Sequence, residues 1–419
     1  MIVSNYEREY LRGLANRQRE IAALPCMKER ERMWTLHNDA KGEKPLVTVE
    51  VRTFIQDLIP ELVCENEAAR GIEKKLLSTI CGYEYTRDDR VVSDYYAVSP
   101  EIEFFPFSIE QVKHRSEKEK TNQVAFSVEP SITDLEHQVF ELGTSKYHFH
   151  KEAFERETEL AQELFGDILP LRVQGPPLGY YLSKTVMELL GMEEMLYAFY
   201  DYPEELNLLI KKVDEEYRKY FDYLEQHGFL RSNNENALVK MGTVGYTSQL
   251  PDRKALEGKR VTTKDIWGHL NSQETVSISP ETFKEFFGSY YLNAAKRFGL
   301  CTYGCCEPIH PVWDGCLDRM PKSLRKASIS PWCDEAVMGE RLRGTSIIYH
   351  RKPSAEFLGV GKELNEEEFR RYIEKTLILA EGCKVEFSFR DVYTLNGNRE
   401  KVARAVQIVR ECIGRLWKG

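Results

Sequence analysis

The sequence of 419 residues contains no apolar run long enough to cross a membrane. Its net charge is -9, and no dense Lys/Arg patch offsets this charge, which argues against an electrostatic grip on nucleic acid. The first residues, MIVSNYEREY, are charged and lack the apolar core of a secretion signal. We therefore expect a cytoplasmic protein that has neither a membrane nor a nucleic acid as its partner.

A disulfide framework is not expected either, although the chain has ten cysteines. In reducing cytosol these residues should be thiols, which serve packing, metal ligation or chemistry. Seven of them lie beyond residue 300, namely Cys301, Cys305, Cys306, Cys316, Cys333, Cys383 and Cys412. Neighbours in an extended strand point to opposite faces, so we expect no redox pair between the adjacent Cys305 and Cys306.

No glycine-rich phosphate fingerprint follows the first predicted strand, which disfavours an open doubly wound sheet. The chain instead has eight short apolar segments, and an amphipathic helix follows most of them. The segments are KPLVTVEVR, LPLRVQGPP, ALVKMG, DIWGHLNSQE, LCTYGCCEP, LRKASISPWCD, TSIIYHRKP and KVEFSFRDV. This alternation predicts an α/β fold, and eight units predict a (β/α)8 TIM-type barrel. We expect an α-helical amino-terminal extension at residues 1–43, the barrel at residues 44–419, and an insertion at residues 84–150 that covers the site.

The active site of such a barrel is built from residues that follow the carboxyl ends of the strands. Polar and ligand-type residues crowd these positions, and the predicted site residues are Gln174, His269, Asn271, Gln273, Glu274, Tyr303, Cys305, Glu307, His310, Trp332, Cys333, Arg390 and Asp391. Glu307 and Glu274 are the candidate proton donors, and the other polar residues are candidates for binding a substrate. The adjacent Arg390 and Asp391 form either a buried ion pair or a clamp for a substrate anion.

The stretch DIWGHLNSQETVSISPETFKEFFGSYY, followed by a strand that ends in TYGCCEP, resembles the uroporphyrinogen decarboxylase and cobalamin-dependent methyltransferase superfamily. Its members usually show a polar strand end, a helix that starts with Ser-Pro-Glu-x-Phe, and then a strand that ends in His-x-Cys-Gly. The resemblance covers residues 169–417, and MKERERMWTLHNDAKGEKPLVTV is similar to the family's opening helix and first strand. The resemblance implies a TIM barrel and a homodimer.

The chain departs from both branches of this superfamily. The decarboxylase branch has an arginine-rich motif after its first strand, whereas this chain has TVEVRTFIQDLIPEL with a single arginine, so true uroporphyrinogen decarboxylase activity is not expected. The zinc-bearing methyltransferase branch holds its metal with His-x-Cys and a cysteine of the last strand. Here Tyr303 occupies the histidine position, and Cys305 occupies the position of the cysteine in His-x-Cys. Arg390 and Asp391 lie near the position of the last-strand cysteine.

A different zinc site is therefore one of two interpretations of the cysteines. Cys305, Cys333 and His310 would offer a mixed ligand set with one position left open, and the metal would act as a Lewis acid on the leaving group. In the other interpretation the cysteines pack, and Glu307 binds the substrate by hydrogen bonds.

The preferred hypothesis is a corrinoid-dependent methyltransferase component. It would take a methyl group from a small methylated donor, such as an aromatic methyl ether, and pass it to the cobalamin of a separate corrinoid protein. The chain has no Asp-x-His-x-x-Gly cobalamin motif, so the resemblance implies that the corrinoid arrives on a partner. Two alternatives stay open: a decarboxylase or lyase of a small acid, with Arg351, Lys352 or Arg390 as carboxylate clamps, and a barrel that binds a ligand without turnover.

Overall fold

The computed structural model describes residues 3–115 and 126–418. Residues 116–125 of the predicted insertion lie outside the described residues. Within the described part of the chain, no helix combines the length and the apolar character that a membrane crossing requires.

The strands of the described residues are short, and five of the thirteen lie in the second half of the chain. In chain order they are β1 Leu46–Val49, β2 Tyr96–Val98, β3 Ile102–Phe105, β4 Lys113–Arg115, β5 Phe126–Val128, β6 Lys146–Phe149, β7 Leu171–Val173, β8 Gly179–Tyr180, β9 Trp267–Leu270, β10 Leu300–Tyr303, β11 Leu324–Ile329, β12 Ile348–Arg351 and β13 Lys384–Phe389. Helices follow most strands of the second half, as expected for parallel strands joined by helical crossovers.

The α-helices of the described residues are α1 Asn5–Ala22, α2 Pro25–Asn38, α3 Ile55–Leu58, α4 Glu67–Thr86, α5 Leu135–Glu141, α6 Lys151–Phe165, α7 Leu182–Leu190, α8 Met192–Asp201, α9 Pro203–Gln226, α10 Pro280–Phe283, α11 Ser289–Arg297, α12 Glu335–Leu342, α13 Glu356–Gly359, α14 Glu366–Leu379 and α15 Glu400–Leu416. The first of them begins with a capping box. The Ser4 side chain accepts from the Glu7 backbone N–H, and the Glu7 carboxylate accepts from the Ser4 backbone N–H. These two bonds satisfy N–H groups that a helix start leaves free.

Seven strands form one parallel sheet in the order β1-β13-β12-β11-β10-β9-β8. Outside it, β2 pairs with β7 in parallel, whereas β3 with β6 and β4 with β5 form antiparallel pairs. A parallel α/β sheet agrees with the sequence. Its pairing ends at β1 on one side and at β8 on the other, so the closed eight-stranded barrel stays a prediction.

The predicted strand at ALVKMG, residues 237–242, is a turn instead. Leu238 pairs with Val244 across it as an isolated antiparallel bridge. Lys240, Met241 and Gly242 have φ values of 75°, 62° and 79°, which no extended strand adopts. The prediction was wrong because a short apolar run fits a buried turn as well as it fits a buried strand.

The central sheet encloses charged and hydroxyl side chains that we call the buried polar network. Its members are Thr48, Lys326, His350, Glu386 and Ser388, all of them buried. The Lys326 ammonium donates to Glu386 Oε2 at 2.6 Å, His350 Nε2 lies 2.7 Å from Ser388 Oγ, and that hydroxyl lies 2.7 Å from Thr48 Oγ1. Buried polar groups need such partners because an unpaired one loses its hydration without compensation.

Candidate functional site

A group of charged residues lies at the carboxyl ends of the strands that contain the buried polar network. Glu50, Lys352 and Arg390 each lie two positions beyond a network member, at the carboxyl ends of β1, β12 and β13. Alternate residues of a strand share a face, and parallel strands end at the same edge of the sheet. These three side chains therefore converge above the network.

Arg390 lies at the centre of this edge. Its Nε is 2.9 Å from Glu50 Oε2 and 3.1 Å from Asp391 Oδ2. Another guanidinium nitrogen lies 3.0 Å from Met241 Sδ and 3.6 Å from Cys305 Sγ. Burial opposes the charged form, but the two carboxylates outweigh it and raise the pKa of Arg390. The structure shows the Arg390–Asp391 ion pair, and the clamp for a substrate anion stays a prediction.

The two adjacent thiols face each other, contrary to the expectation from strand geometry. β10 ends at Tyr303, and Gly304 follows with a φ of 91°, so Cys305 and Cys306 lie in a bend rather than in an extended strand. Their sulfur atoms are 3.6 Å apart, and Cys306 Sγ lies 3.7 Å from Asp391 Oδ2. Both cysteines are free and half-buried.

Cys305 is the acidic member of this thiol pair. The hydrogen bond from the Cys306 thiol, together with the charges of Lys352 and Arg390, lowers the pKa of Cys305 to about 7 against the opposing effect of burial. The same contact and burial raise the pKa of Cys306. A cysteine with this pKa is substantially thiolate near neutral pH, and the thiolate is the nucleophilic and metal-binding form.

Glu307 is 4 % exposed, and both of its carboxylate oxygens are occupied. Oε2 accepts from the Cys305 backbone N–H at 2.6 Å, and Oε1 accepts from the Ser272 backbone N–H at 3.0 Å. These bonds join the loop after β9 to the bend after β10. Glu307 therefore positions Cys305, a role that its place in the sequence did not indicate.

Glu274 is the candidate proton donor with a shifted pKa. Its Oε2 accepts from Ser183 Oγ at 2.8 Å. Burial raises the pKa of Glu274, and the nearby charge of Glu307 raises it further. A carboxyl group that holds its proton closer to neutral pH suits the donor role.

His269 is fully enclosed at the same edge and stays neutral. Its Nδ1 lies 2.7 Å from Thr302 Oγ1. Burial, with the charges of Lys352, Lys240 and Arg390, lowers the pKa of His269 well below its usual value. Three cations therefore act on this ring, although they come from three different segments of the chain.

Sequence reasoning missed Lys240 and Tyr181. The Lys240 ammonium lies 5.9 Å from the centroid of the Tyr181 ring, and this ring lies 5.8 Å from the His269 ring. Burial and the charge of Arg52 lower the pKa of Lys240. No motif marks either residue, because the turn at residues 240–242 and the end of β8 meet only in the folded chain.

Several predicted substrate-binding residues lie elsewhere or have structural partners. Trp332 is 72 % exposed, and Gln273 is also exposed. The Tyr303 hydroxyl is buried at 2.6 Å from Ser272 Oγ. Asn271 is buried, and its side-chain oxygen lacks a hydrogen-bond partner among the described residues, which leaves an acceptor at the end of β9.

Gln174 lies in a separate cavity of about 570 Å³ between the β1 edge and the amino-terminal helices. Its side-chain amide donates to Tyr95 Oη at 3.3 Å. The cavity includes Glu50 and Gly242, so it adjoins the site, but it does not include Cys305.

The predicted zinc ligands do not assemble. Cys333 Sγ accepts from the Ile309 backbone N–H at 3.4 Å, and His310 Nδ1 accepts from the Asp334 backbone N–H at 3.2 Å. Across residues 3–115 and 126–418, no group of three or more His, Cys, Asp or Glu side chains is placed to hold a metal ion. The donor set present in the described chain does not fit the predicted zinc site.

Arg351 does not join the strand-end site either. Its guanidinium donates to the Ser330 backbone carbonyl at 2.7 Å and pairs with Glu335 at 2.9 Å. It is 1 % exposed. The charge of Arg351 is thus paired within the protein, which removes this residue from the possible carboxylate clamps and leaves Lys352 and Arg390.

Comparison with known proteins finds similarity among solved structures. No protein-family model matches the chain, and no curated protein matches its sequence. A solved structure described as a methyltransferase from Methanosarcina mazei is similar at a TM-score of 0.47 and 12 % identity, covering 90 % of this chain and 98 % of that chain. A similarity at this level carries no conclusion about activity.

Proposed function

We propose that the chain is a methyltransferase whose reaction site is the strand-end cluster around Cys305. The observation that carries the proposal is the Cys305 thiol with its pKa of about 7, 3.6 Å from the Arg390 guanidinium. A thiolate near neutral pH attacks a methyl carbon readily, and methyl groups on oxygen, nitrogen or sulfur are suitable electrophiles.

In the proposed reaction the Cys305 sulfur forms a bond to the methyl carbon, and the bond from this carbon to the donor heteroatom breaks. Glu274 gives its proton to the leaving heteroatom, because its raised pKa keeps that proton available. Glu307 positions Cys305 through the backbone N–H bond at 2.6 Å. A second displacement then moves the methyl group from sulfur to the final acceptor and regenerates the thiolate.

We further propose that the donor is a small methylated compound and that the final acceptor is the corrinoid of a partner protein. The sequence resemblance to the cobalamin-dependent methyltransferases supports both statements. The enclosed, charged character of the strand ends favours an enzyme over a barrel that only binds a ligand, since perturbed pKa values concentrate at catalytic sites.

The test uses the purified chain with cob(I)alamin in place of a corrinoid protein. Methyl ethers, methylated amines and methyl thioethers serve as donors, and the conversion of cob(I)alamin to methylcobalamin is followed by its absorbance. We expect transfer from one donor class, abolished in Cys305→Ser and retained in Cys26→Ser, which changes an exposed cysteine of α2. Transfer that survives in Cys305→Ser, or no transfer from any donor class, would refute the proposal.

A further inference from the structure

The sulfur atoms of Cys305 and Cys306 lie close enough for a bond to form between them after a short movement. They are 3.6 Å apart, and both residues are free and half-buried, so a small oxidant has access to them. A disulfide bond is about 2.05 Å long, which means that the two sulfur atoms need to approach each other by about 1.5 Å.

Neighbouring groups hold the backbone on which this approach takes place. The Cys305 N–H donates to Glu307 Oε2 at 2.6 Å, and the Cys305 carbonyl accepts from Ser328 Oγ at 2.7 Å and from the Lys352 ammonium at 3.2 Å. None of these bonds involves a sulfur atom. Rotation of the two cysteine side chains can therefore bring the sulfur atoms together while the bend keeps its hydrogen bonds.

A disulfide between adjacent residues is labile. The Cα atoms on either side of a trans peptide bond are about 3.8 Å apart, whereas the usual range for disulfides begins at about 4.4 Å. This strain makes the bond easier to reduce, and easily reduced disulfides are regulatory rather than structural. A bond between Cys305 and Cys306 is therefore suited to reversible formation.

The two thiols differ in the way that such a reaction requires. The pKa of Cys305 is lowered to about 7, which makes this residue the nucleophile, whereas the raised pKa of Cys306 keeps its proton in place. Asp391 Oδ2 lies 3.7 Å from Cys306 Sγ and can accept that proton. An accessible thiolate beside a second thiol is the arrangement found in cysteines that sense oxidants.

We propose that Cys305 and Cys306 are a modification site at which a peroxide forms a reversible disulfide between the two residues. The Cys305 sulfur bonds to one peroxide oxygen, the O–O bond breaks, and the other oxygen leaves as water with the proton that Cys305 released. The Cys306 sulfur then bonds to the Cys305 sulfur, the S–O bond breaks, and the oxygen leaves as a second water with the proton of the Cys306 thiol. Two thiols and one hydrogen peroxide thus give one disulfide and two waters.

The disulfide removes the thiolate that attacks the methyl carbon in the proposed reaction. Only this consequence, the arrest of methyl transfer by oxidation, rests on the proposed function. The formation of the disulfide depends on the geometry and chemistry of the two thiols alone.

The test treats the reduced full-length chain with hydrogen peroxide, blocks the remaining thiols with iodoacetamide under denaturing conditions and analyses a tryptic digest by tandem mass spectrometry. Cleavage after Arg297 and Arg319 releases the peptide 298–319, which also contains Cys301 and Cys316. We expect alkyl groups at Cys301 and Cys316 only, and a peptide that is lighter by the two hydrogen atoms lost from the thiol pair. Reduction with dithiothreitol before alkylation should restore alkylation at Cys305 and Cys306.

Two variants separate the roles of the thiols. In Cys306→Ser we expect no disulfide, and the sulfenic acid of Cys305 should be trapped by dimedone. Cys26→Ser, which removes an exposed cysteine of α2, is the matched control and should form the disulfide as the wild type does. Circular dichroism verifies that each variant is folded.

Three results would overturn the modification site: Cys305 and Cys306 that both remain alkylated after peroxide treatment, an oxidised Cys305 in the wild type without a disulfide to Cys306, or a disulfide from either residue to a third cysteine. None of these measurements involves methyl transfer. Methyl transfer by a chain that forms no such disulfide would leave the proposed function standing. A reversible disulfide in a chain that transfers no methyl group would refute the proposed function and leave the modification site.

Discussion

Replacing Glu386 with Gln removes the carboxylate that neutralises Lys326 inside the central sheet. The two groups are 2.6 Å apart, and His350 and His37 lie 3.3 and 3.4 Å from the same carboxylate. All four side chains are at most 1 % exposed. Removing one partner of a buried ion pair lowers the free energy of unfolding by roughly 3–5 kcal/mol, because the remaining charge stays buried without its counterion.

Deprotonation of Lys326 limits this loss in the variant. With an ordinary pKa of about 10.4 and about 1.36 kcal/mol per pKa unit, a neutral lysine at pH 7 costs about 4.6 kcal/mol. The unfolded chain binds this proton and the folded variant does not, so the stability of the variant rises with pH. At pH 9 this upper limit on the loss of unfolding free energy falls to about 1.9 kcal/mol.

At acidic pH, the stability of the wild-type protein depends on the protonation of Glu386 itself. Burial opposes the charged form of Glu386, but Lys326 and the nearby histidines keep its pKa well below the usual value. A carboxyl group with a lowered folded pKa stabilises the fold above its unfolded pKa of about 4.3 and loses this contribution as the pH falls further.

Urea unfolding at pH 7 and pH 9, followed by tryptophan fluorescence and circular dichroism, measures these effects. Glu366→Gln is the control because it breaks an exposed pair with Arg404, for which we expect a loss of about 0–1 kcal/mol. Equal stability of Glu386→Gln and wild type at pH 7, or a loss that increases towards pH 9, would refute the reasoning.

Three further predictions concern the site itself. Gly304→Ala should lower the free energy of unfolding by more than about 1 kcal/mol, because φ is 91° and the new Cβ would lie 3.0 Å from Ser328 Cβ. Thermal unfolding measures this loss, and an unfolding temperature equal to that of the wild type would contradict the prediction. The rate of Cys305 alkylation by iodoacetamide should rise with a midpoint near pH 7, and the midpoint should move up in Cys306→Ala, which removes the thiol hydrogen bond; a wild-type midpoint at the ordinary cysteine pKa would contradict it. Glu274→Gln should lower methyl transfer by about 100-fold and remove the decline of the rate at alkaline pH, since the variant has no proton to lose; a normal rate would exclude Glu274 as the donor.

Local sequence patterns predicted the parallel α/β architecture of residues 267–389 and the strand-end positions of Cys305, Glu307 and Arg390. Buried parallel strands need continuous runs that fit between two layers of helices, and this requirement shows in short windows of sequence. The turn at residues 240–242 escaped the same reasoning because its apolar residues fit either structure, and the positive φ values follow from distant contacts such as that of Met241 with Arg390.

The chemical properties of the site depend on residues that are far apart in the chain. Cys305 owes its low pKa to Cys306, Lys352 and Arg390, and Gly304 turns the two thiols towards each other. Sequence alone therefore determined which residue types stand at the strand ends. Only the tertiary structure decided which of them meet, because ion pairing, burial and pKa shifts depend on distances through space that no local periodicity encodes.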